Sequence, residues 1–195
     1  MSLKTQAKLL TKPQIDALLI HVSNSRNAMR NRLIVLLSVR AGFRATEIAN
    51  LTWSMVLNSD LTVAPEISLT DNASKGNSGR TVPMAKDLRQ ALLTWYLAHK
   101  AVSLRGCVIS TQRAKATSAQ AIVNMFAHWY RALGFAGCSS HSGRRTFITN
   151  AARKISSVGG SIRDVQALAG HASLNTTQRY IEVNAEAKRR VVDLL

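Results

Sequence analysis

The stretch from His141 to Tyr180 reads HSGRRTFITNAARKISSVGGSIRDVQALAGHASLNTTQRY and gathers side chains able to bind, polarise or attack a phosphodiester. His141 and Arg144 are three apart. If they open a helix they share a face, with Cβ atoms about 5–6 Å apart. An arginine there grips phosphate through two parallel N–H bonds, and a helix N-terminus adds its own attraction for anions. His171 follows Gly170, and Tyr180 comes nine residues after it. Two further basic candidates lie upstream: Arg44 in AGFRATEIANL and Lys75 in the polar stretch DNASKGNSGR. Tyrosine is a poor nucleophile at its ordinary pKa of about 10. Convergent cations would favour the phenolate and a pentacovalent phosphate. Metal-assisted hydrolysis would instead use paired carboxylates or histidines at ligand spacing. The ten acidic residues are scattered, with no close pair among the basic candidates. Phosphoryl transfer by this set would be covalent and metal-free.

Singly, each candidate is weak. An arginine between two helices is more often solvated or salt-bridged, here with Glu47. A hairpin-tip lysine is usually just solvated, and Tyr180 reads locally as a half-buried aromatic. The Lys75 segment leads into a strand, so it is not a phosphate-cradling loop of the Gly-Lys-Ser/Thr type, which leads into a helix. CSSH, from Cys138 to His141, lacks a second Cys/His pair at ligand spacing, so no metal is expected.

The elements that must position these groups read mostly as helices. Thr11, Pro13 and Gln14 form a helix start, followed by Ile15, Leu18, Leu19 and Val22 at helical spacing. A second helix is predicted from Asn27 to Ala41, with Met29, Leu33, Leu36 and Leu37 inward, Arg26, Arg30 and Arg32 outward, and Gly42 as its stop. A short helix carries Glu47, Ile48 and Leu51, leaving Arg44 in the preceding turn. Thr62-Val63, Glu66–Thr70 and Arg80–Pro83 suit two or three short strands, with Lys75 near the tip of the loop joining the last two. Further helices are predicted over Lys86–Lys100, Ser118–Leu133, Ser161–Ala169 and Leu174–Ile181, with a strand-like piece at Cys107–Ile109. Residues 1–10 read as a loosely held arm. The class is α+β, a mainly helical domain with a small antiparallel sheet.

The chain of 195 residues carries 26 Lys+Arg against 10 Asp+Glu, net +16, spread along its length. Such a surface suits a polyanion, since neutralising phosphates releases counterions. Apolar residues make up 46% of the chain, against a disordered class. No apolar run is long enough to span a membrane, and the first residues lack a signal-peptide core. Two cysteines are too few for a disulfide framework and read as reduced thiols, so the expected location is cytoplasmic, with the nucleoid.

Taken together, the segments resemble the catalytic domain of tyrosine recombinases, the phage-integrase family. AGFRATEIANL is similar to its first arginine box, HSGRRTFIT to its H-x-x-R box, and LAGHASLNTTQRY to its GH followed by T-x-x-Y. Lys75 falls where the family keeps a hairpin lysine. The resemblance implies residues 12–183 as catalytic domain, 1–11 as an arm, and 184–195 as a C-terminal helix docking into a neighbouring protomer. It implies Tyr180 as nucleophile forming a 3′-phosphotyrosine, and Arg44 and Arg144 on the non-bridging oxygens. Lys75 would be the general acid for the 5′-oxygen, His141 would assist proton transfer, and His171 would bind the phosphate. No cofactor is implied. The partners would be double-stranded DNA, a homo-tetramer passing through a Holliday junction, and an accessory DNA-bending protein. The alternatives are nicking and religation of the type IB topoisomerase kind, or a DNA-binding protein on a recombinase scaffold. Two departures stand out. Gly143 replaces a common leucine and should loosen local packing. The family's N-terminal DNA-clamp domain is not seen, as in short invertases or a catalytic fragment.

Overall fold

The computed structural model describes residues 6–74, 78–99, 103–111, 114, 116–181 and 192–193. Thr11 caps α1 (Lys12–Ser23): its hydroxyl accepts from the Gln14 amide, and Gln14 Oε1 accepts from Thr11 N at 2.9 Å. These reciprocal bonds satisfy two amides for which the helix has no carbonyl. Next, α2 (Ala28–Arg40) is buried on every side from Leu33 to Val39 and packs against α1. Its inward face differs from the expected one at the start. Met29 is 48% exposed and Arg30 is buried, its Nε and Nη2 donating to Asn31 Oδ1. Positions 29 and 30 are both in helical phase with Leu33 and Leu37, so periodicity alone could not choose between them.

After α2 come α3 (Ala45–Asn50) and an antiparallel pair, β1 (Glu66–Leu69) and β2 (Arg80–Pro83), with Ile67 opposite Val82 and Leu69 opposite Arg80. Ile67, Leu69 and Val82 point into the core. The expected strand pieces at Val63 and Cys107 are only single bridges, to Leu57 and Thr52. Two helices then complete the main core, α4 (Lys86–Ala98) through Leu88, Leu92 and Trp95, and α5 (Ala119–Ala132) through Ile122, Phe126 and Trp129. The remainder is α6 (Ser142–Lys154), α7 (Ile162–Ala169) and α8 (Leu174–Gln178), around a smaller apolar cluster of Ile148, Val165 and Ala169.

Two further expectations are corrected. Residues 7–10 are tied down. Arg145 Nη1 donates to Ala7 O at 2.6 Å, Lys8 N to Gly137 O at 3.1 Å and Leu10 N to Thr146 Oγ1 at 2.8 Å. Gly143 tightens the packing: a Cβ there would run into the Ser38 side chain, so α6 crosses α2 closely where a leucine could not fit. Lys75 lies outside the described residues, as does nearly all of the predicted C-terminal helix. Among the described residues no helix is long and apolar enough to cross a membrane.

Candidate active site

The site is built from helix ends. After α2 the chain reverses at Gly42, whose φ of 67° needs a residue without a Cβ penalty. The reversal makes Arg44 the N-cap of α3. Glu47, in the first turn, accepts from Arg44 N at 2.8 Å and from Arg44 Nη1 at 2.7 Å. Its carboxylate is fully buried and also takes Arg80 Nη1 and Nη2 at 3.0 and 3.1 Å, with Arg144 Nη1 at 4.0 Å. Burial alone would raise its pKa. The Arg80 hydrogen bond and charge, with Arg44 and Arg144, prevail and hold it below the usual carboxylate range. Three guanidiniums around one carboxylate leave a surplus of positive charge.

His141 stands at the start of α6, and Arg144 is one turn further in. Arg144 is 4% exposed, donating to Gly42 O at 2.7 Å and Ala169 O at 2.6 Å, and so bridges the ends of α2 and α7. Burial first, then Arg44, lowers its pKa to about 10, so it stays charged at neutral pH. His141 is pushed below its ordinary value by desolvation, then by Arg144 and Arg44, and is therefore a neutral imidazole able to accept a proton.

Gly170 stops α7 with φ 60°, and His171 follows. Its Nδ1 lies 2.9 Å from Thr177 Oγ1 on α8, and its ring stacks on Tyr180 with centroids 5.5 Å apart. Burial, then Arg144, Arg44 and Arg80, pulls its pKa down to about 4. At neutral pH it can serve as a neutral hydrogen-bonding group, not as a cation. Tyr180, just past α8, packs on the Ile148–Val165–Ala169 cluster.

Arg44, His141, Arg144, His171 and Tyr180 all line one cleft of about 430 Å³, joined by Arg145 and Arg179, and among the described residues no acidic side chain lines it. Arg44 is thus both salt-bridged and turned to the cleft. Five of the six sequence candidates come together, and the sixth, Lys75, is outside the described residues. Arg80 and Thr177 were not singled out by sequence, whereas Glu47 was named there only as a salt-bridge partner of Arg44, the pair now observed. Glu47 carries a signal, since an acid three residues after an N-cap has capping-box spacing. Arg80 carries none, being one of 26 basic residues. Among the described residues no group of three or more His, Cys, Asp or Glu is placed to hold a metal ion.

The chain as a whole has relatives among known proteins. The model of the phage integrase family matches residues 8–187. Tyrosine recombinase XerA of Pyrococcus furiosus is 28% identical over 192 residues, covering 97% of this chain and 62% of that protein. The chain spans about three fifths of the length of the curated relatives it matches. The crystal structure of XerA recombinase superposes with a TM-score of 0.71 at 25% identity, over 95% of this chain and 64% of that one. The Tn1549 transposon integrase in complex with a circular intermediate DNA gives a TM-score of 0.75 at 17% identity, over 100% of this chain and 68% of that one. With nearly its whole length matched by the family model and its helices arranged as in those structures, the chain belongs to the phage integrase family.

Proposed function

We propose that this chain is the catalytic domain of a site-specific tyrosine recombinase that cuts and rejoins double-stranded DNA. The supporting observation is the shared cleft. Arg44 before α3, His141 and Arg144 at the start of α6, His171 after α7 and Tyr180 after α8 face one space with a surplus of positive charge. Tyr180 Oη attacks the phosphorus as the bond from phosphorus to the 5′-oxygen breaks, leaving a 3′-phosphotyrosine and a free 5′-hydroxyl. Arg44 and Arg144 balance the charge that grows on the non-bridging oxygens, the interaction that strengthens most in the transition state. Neutral His141 takes the tyrosine proton, and His171 hydrogen-bonds a phosphate oxygen. Lys75 supplies the proton to the leaving 5′-oxygen. One phosphate ester replaces another, so the partner strand's 5′-hydroxyl can reverse the step without ATP. Four protomers on two DNA sites, with the C-terminal segment docking in trans and an accessory bending protein, would complete strand exchange.

The test is a nicked suicide duplex, recovered by selection with the wild-type protein from a random-sequence pool. Wild type is expected to leave a covalent adduct, and Tyr180→Phe to bind without forming one. An adduct on Tyr180→Phe overturns the nucleophile assignment. Relaxation of supercoils without exchange between two sites would favour nicking and religation over recombination.

A further inference from the structure

Arg80 belongs to the hairpin yet reaches the polar heart of the site without lining the cleft. Its side chain is 5% exposed. Nε donates to Leu168 O at 2.9 Å, Nη1 and Nη2 clasp both oxygens of Glu47, and the guanidinium sits 5.4 Å from the Phe43 ring centre. A Cβ on Gly170 would come within 2.8 Å of Arg80 Nη1, so the α7 stop is shaped around this side chain. Arg44 Nη1 takes the same Glu47 Oε1 that Arg80 Nη1 takes.

We propose that Arg80 is a positioning residue for Arg44, holding the plane of the shared Glu47 carboxylate so that the Arg44 guanidinium faces the bound phosphate. This rests on the function proposed above. Without Arg80, the carboxylate keeps the two Arg44 bonds and the longer approach of Arg144 Nη1 but loses its two-point clasp from β2, so it gains freedom to tilt and the Arg44 guanidinium tilts with it. Two parallel N–H bonds to both oxygens remove that freedom, which a single ammonium cannot do. Misplacing a catalytic group by about 1 Å costs on the order of 100-fold in rate. Glu47 also lies 4.0 Å from Arg144 Nη1, so its anchoring bears on that cation as well.

The experiment measures single-turnover cleavage of the selected suicide duplex at saturating DNA, together with DNA affinity and melting temperature. Arg80→Ala is expected to lower cleavage by about 100-fold while Kd stays within about threefold. Arg80→Lys, which keeps the charge without the fork, should fall by about tenfold. In an Arg44→Ala background the further loss from Arg80→Ala should shrink to about threefold or less. Cleavage by Arg80→Lys at the wild-type rate would overturn the proposal, and this variant decides the matter if Arg80→Ala fails to fold. So would an undiminished loss in the Arg44→Ala background, or a loss that merely follows the fraction unfolded. No adduct from wild type on any selected duplex would defeat the proposed function itself. Equal adducts from wild type and Arg80→Ala would defeat only the role of Arg80.

Discussion

Helices α1, α2, α4 and α5 bury Leu18, Leu36, Leu92 and Phe126 in one continuous apolar core, whereas the cluster between α6 and α7 has a buried centre of just Ile148, Val165 and Ala169 among the described residues. The second region is fastened by guanidiniums. Arg144 joins the α2 end to the α7 end through Gly42 O and Ala169 O, and Arg80 joins β2 to α7 through Leu168 O and to α3 through Glu47. In the first region stability and chemistry are separate concerns. In the second, the side chains that hold the helices also set the charge of the cleft, so a change there should register in both.

Glu47→Ala should separate the two regions most sharply. It leaves three buried or half-buried guanidiniums without their carboxylate. Removing one partner of a buried ionic group costs about 3–5 kcal/mol. Leu36→Ala, in the apolar core, should cost a comparable amount, about 2–5 kcal/mol. The distinction lies in cleavage per folded molecule: near wild type for Leu36→Ala, largely lost for Glu47→Ala. Urea unfolding paired with suicide-substrate cleavage reads both, and equal per-molecule cleavage would erase the contrast.

The seam between the regions is the α2–α6 crossing. Gly143→Ala forces a Cβ against Ser38, whose own Oγ is buried without a hydrogen-bond partner among the described residues. Overpacking of this kind costs about 1–3 kcal/mol. Ser38→Ala removes the colliding hydroxyl, so the double variant should recover part of the loss, as coupled neighbours do. Simple additivity in thermal unfolding would mean the two positions do not meet.

The apolar region was largely legible in the sequence, because capping at Thr11 and helical spacing in α1, α4 and α5 are local signals. Its errors were errors of phase, as at Met29 and Arg30. The cleft was legible only through family motifs, since each of its side chains has an ordinary local explanation. What stayed hidden is long-range: Arg80 meets Glu47 and Leu168 across 33 and 88 residues of chain, and no periodicity encodes that. Gly143 was misread because its neighbour, Ser38, lies on another helix.

Acid should weaken the second region before the first. His171 has a pKa near 4 in the folded chain, against about 6.5 when unfolded. In that window the unfolded state binds more protons, so stability rises with pH there and is lost as pH falls from about 6.5 toward 4. His171→Gln should flatten this slope, measured as unfolding free energy at closely spaced pH values. An unchanged slope would place the titration elsewhere.

The smallest effect expected is at Thr177, and it concerns how a neutral imidazole is aimed. Thr177 is fully buried, and its hydroxyl is the partner of His171 Nδ1 at 2.9 Å. Nε2 has no such partner among the described residues, while the ring lines the cleft. A neutral ring carries one proton, and its position is set by the bond made at the other nitrogen. When Thr177 Oγ1–H donates to Nδ1, the proton sits on Nε2, the form that can donate to a phosphate oxygen. Thr177→Val keeps the shape and removes the hydroxyl, at a cost of about 0.5–1.5 kcal/mol. Thr177→Ser keeps the bond and should stay close to wild type. Nitrogen chemical shifts of the His171 ring would report the tautomer directly. A ring whose shifts and stability ignore Thr177→Val would show that stacking on Tyr180, not the α8 hydroxyl, orients it.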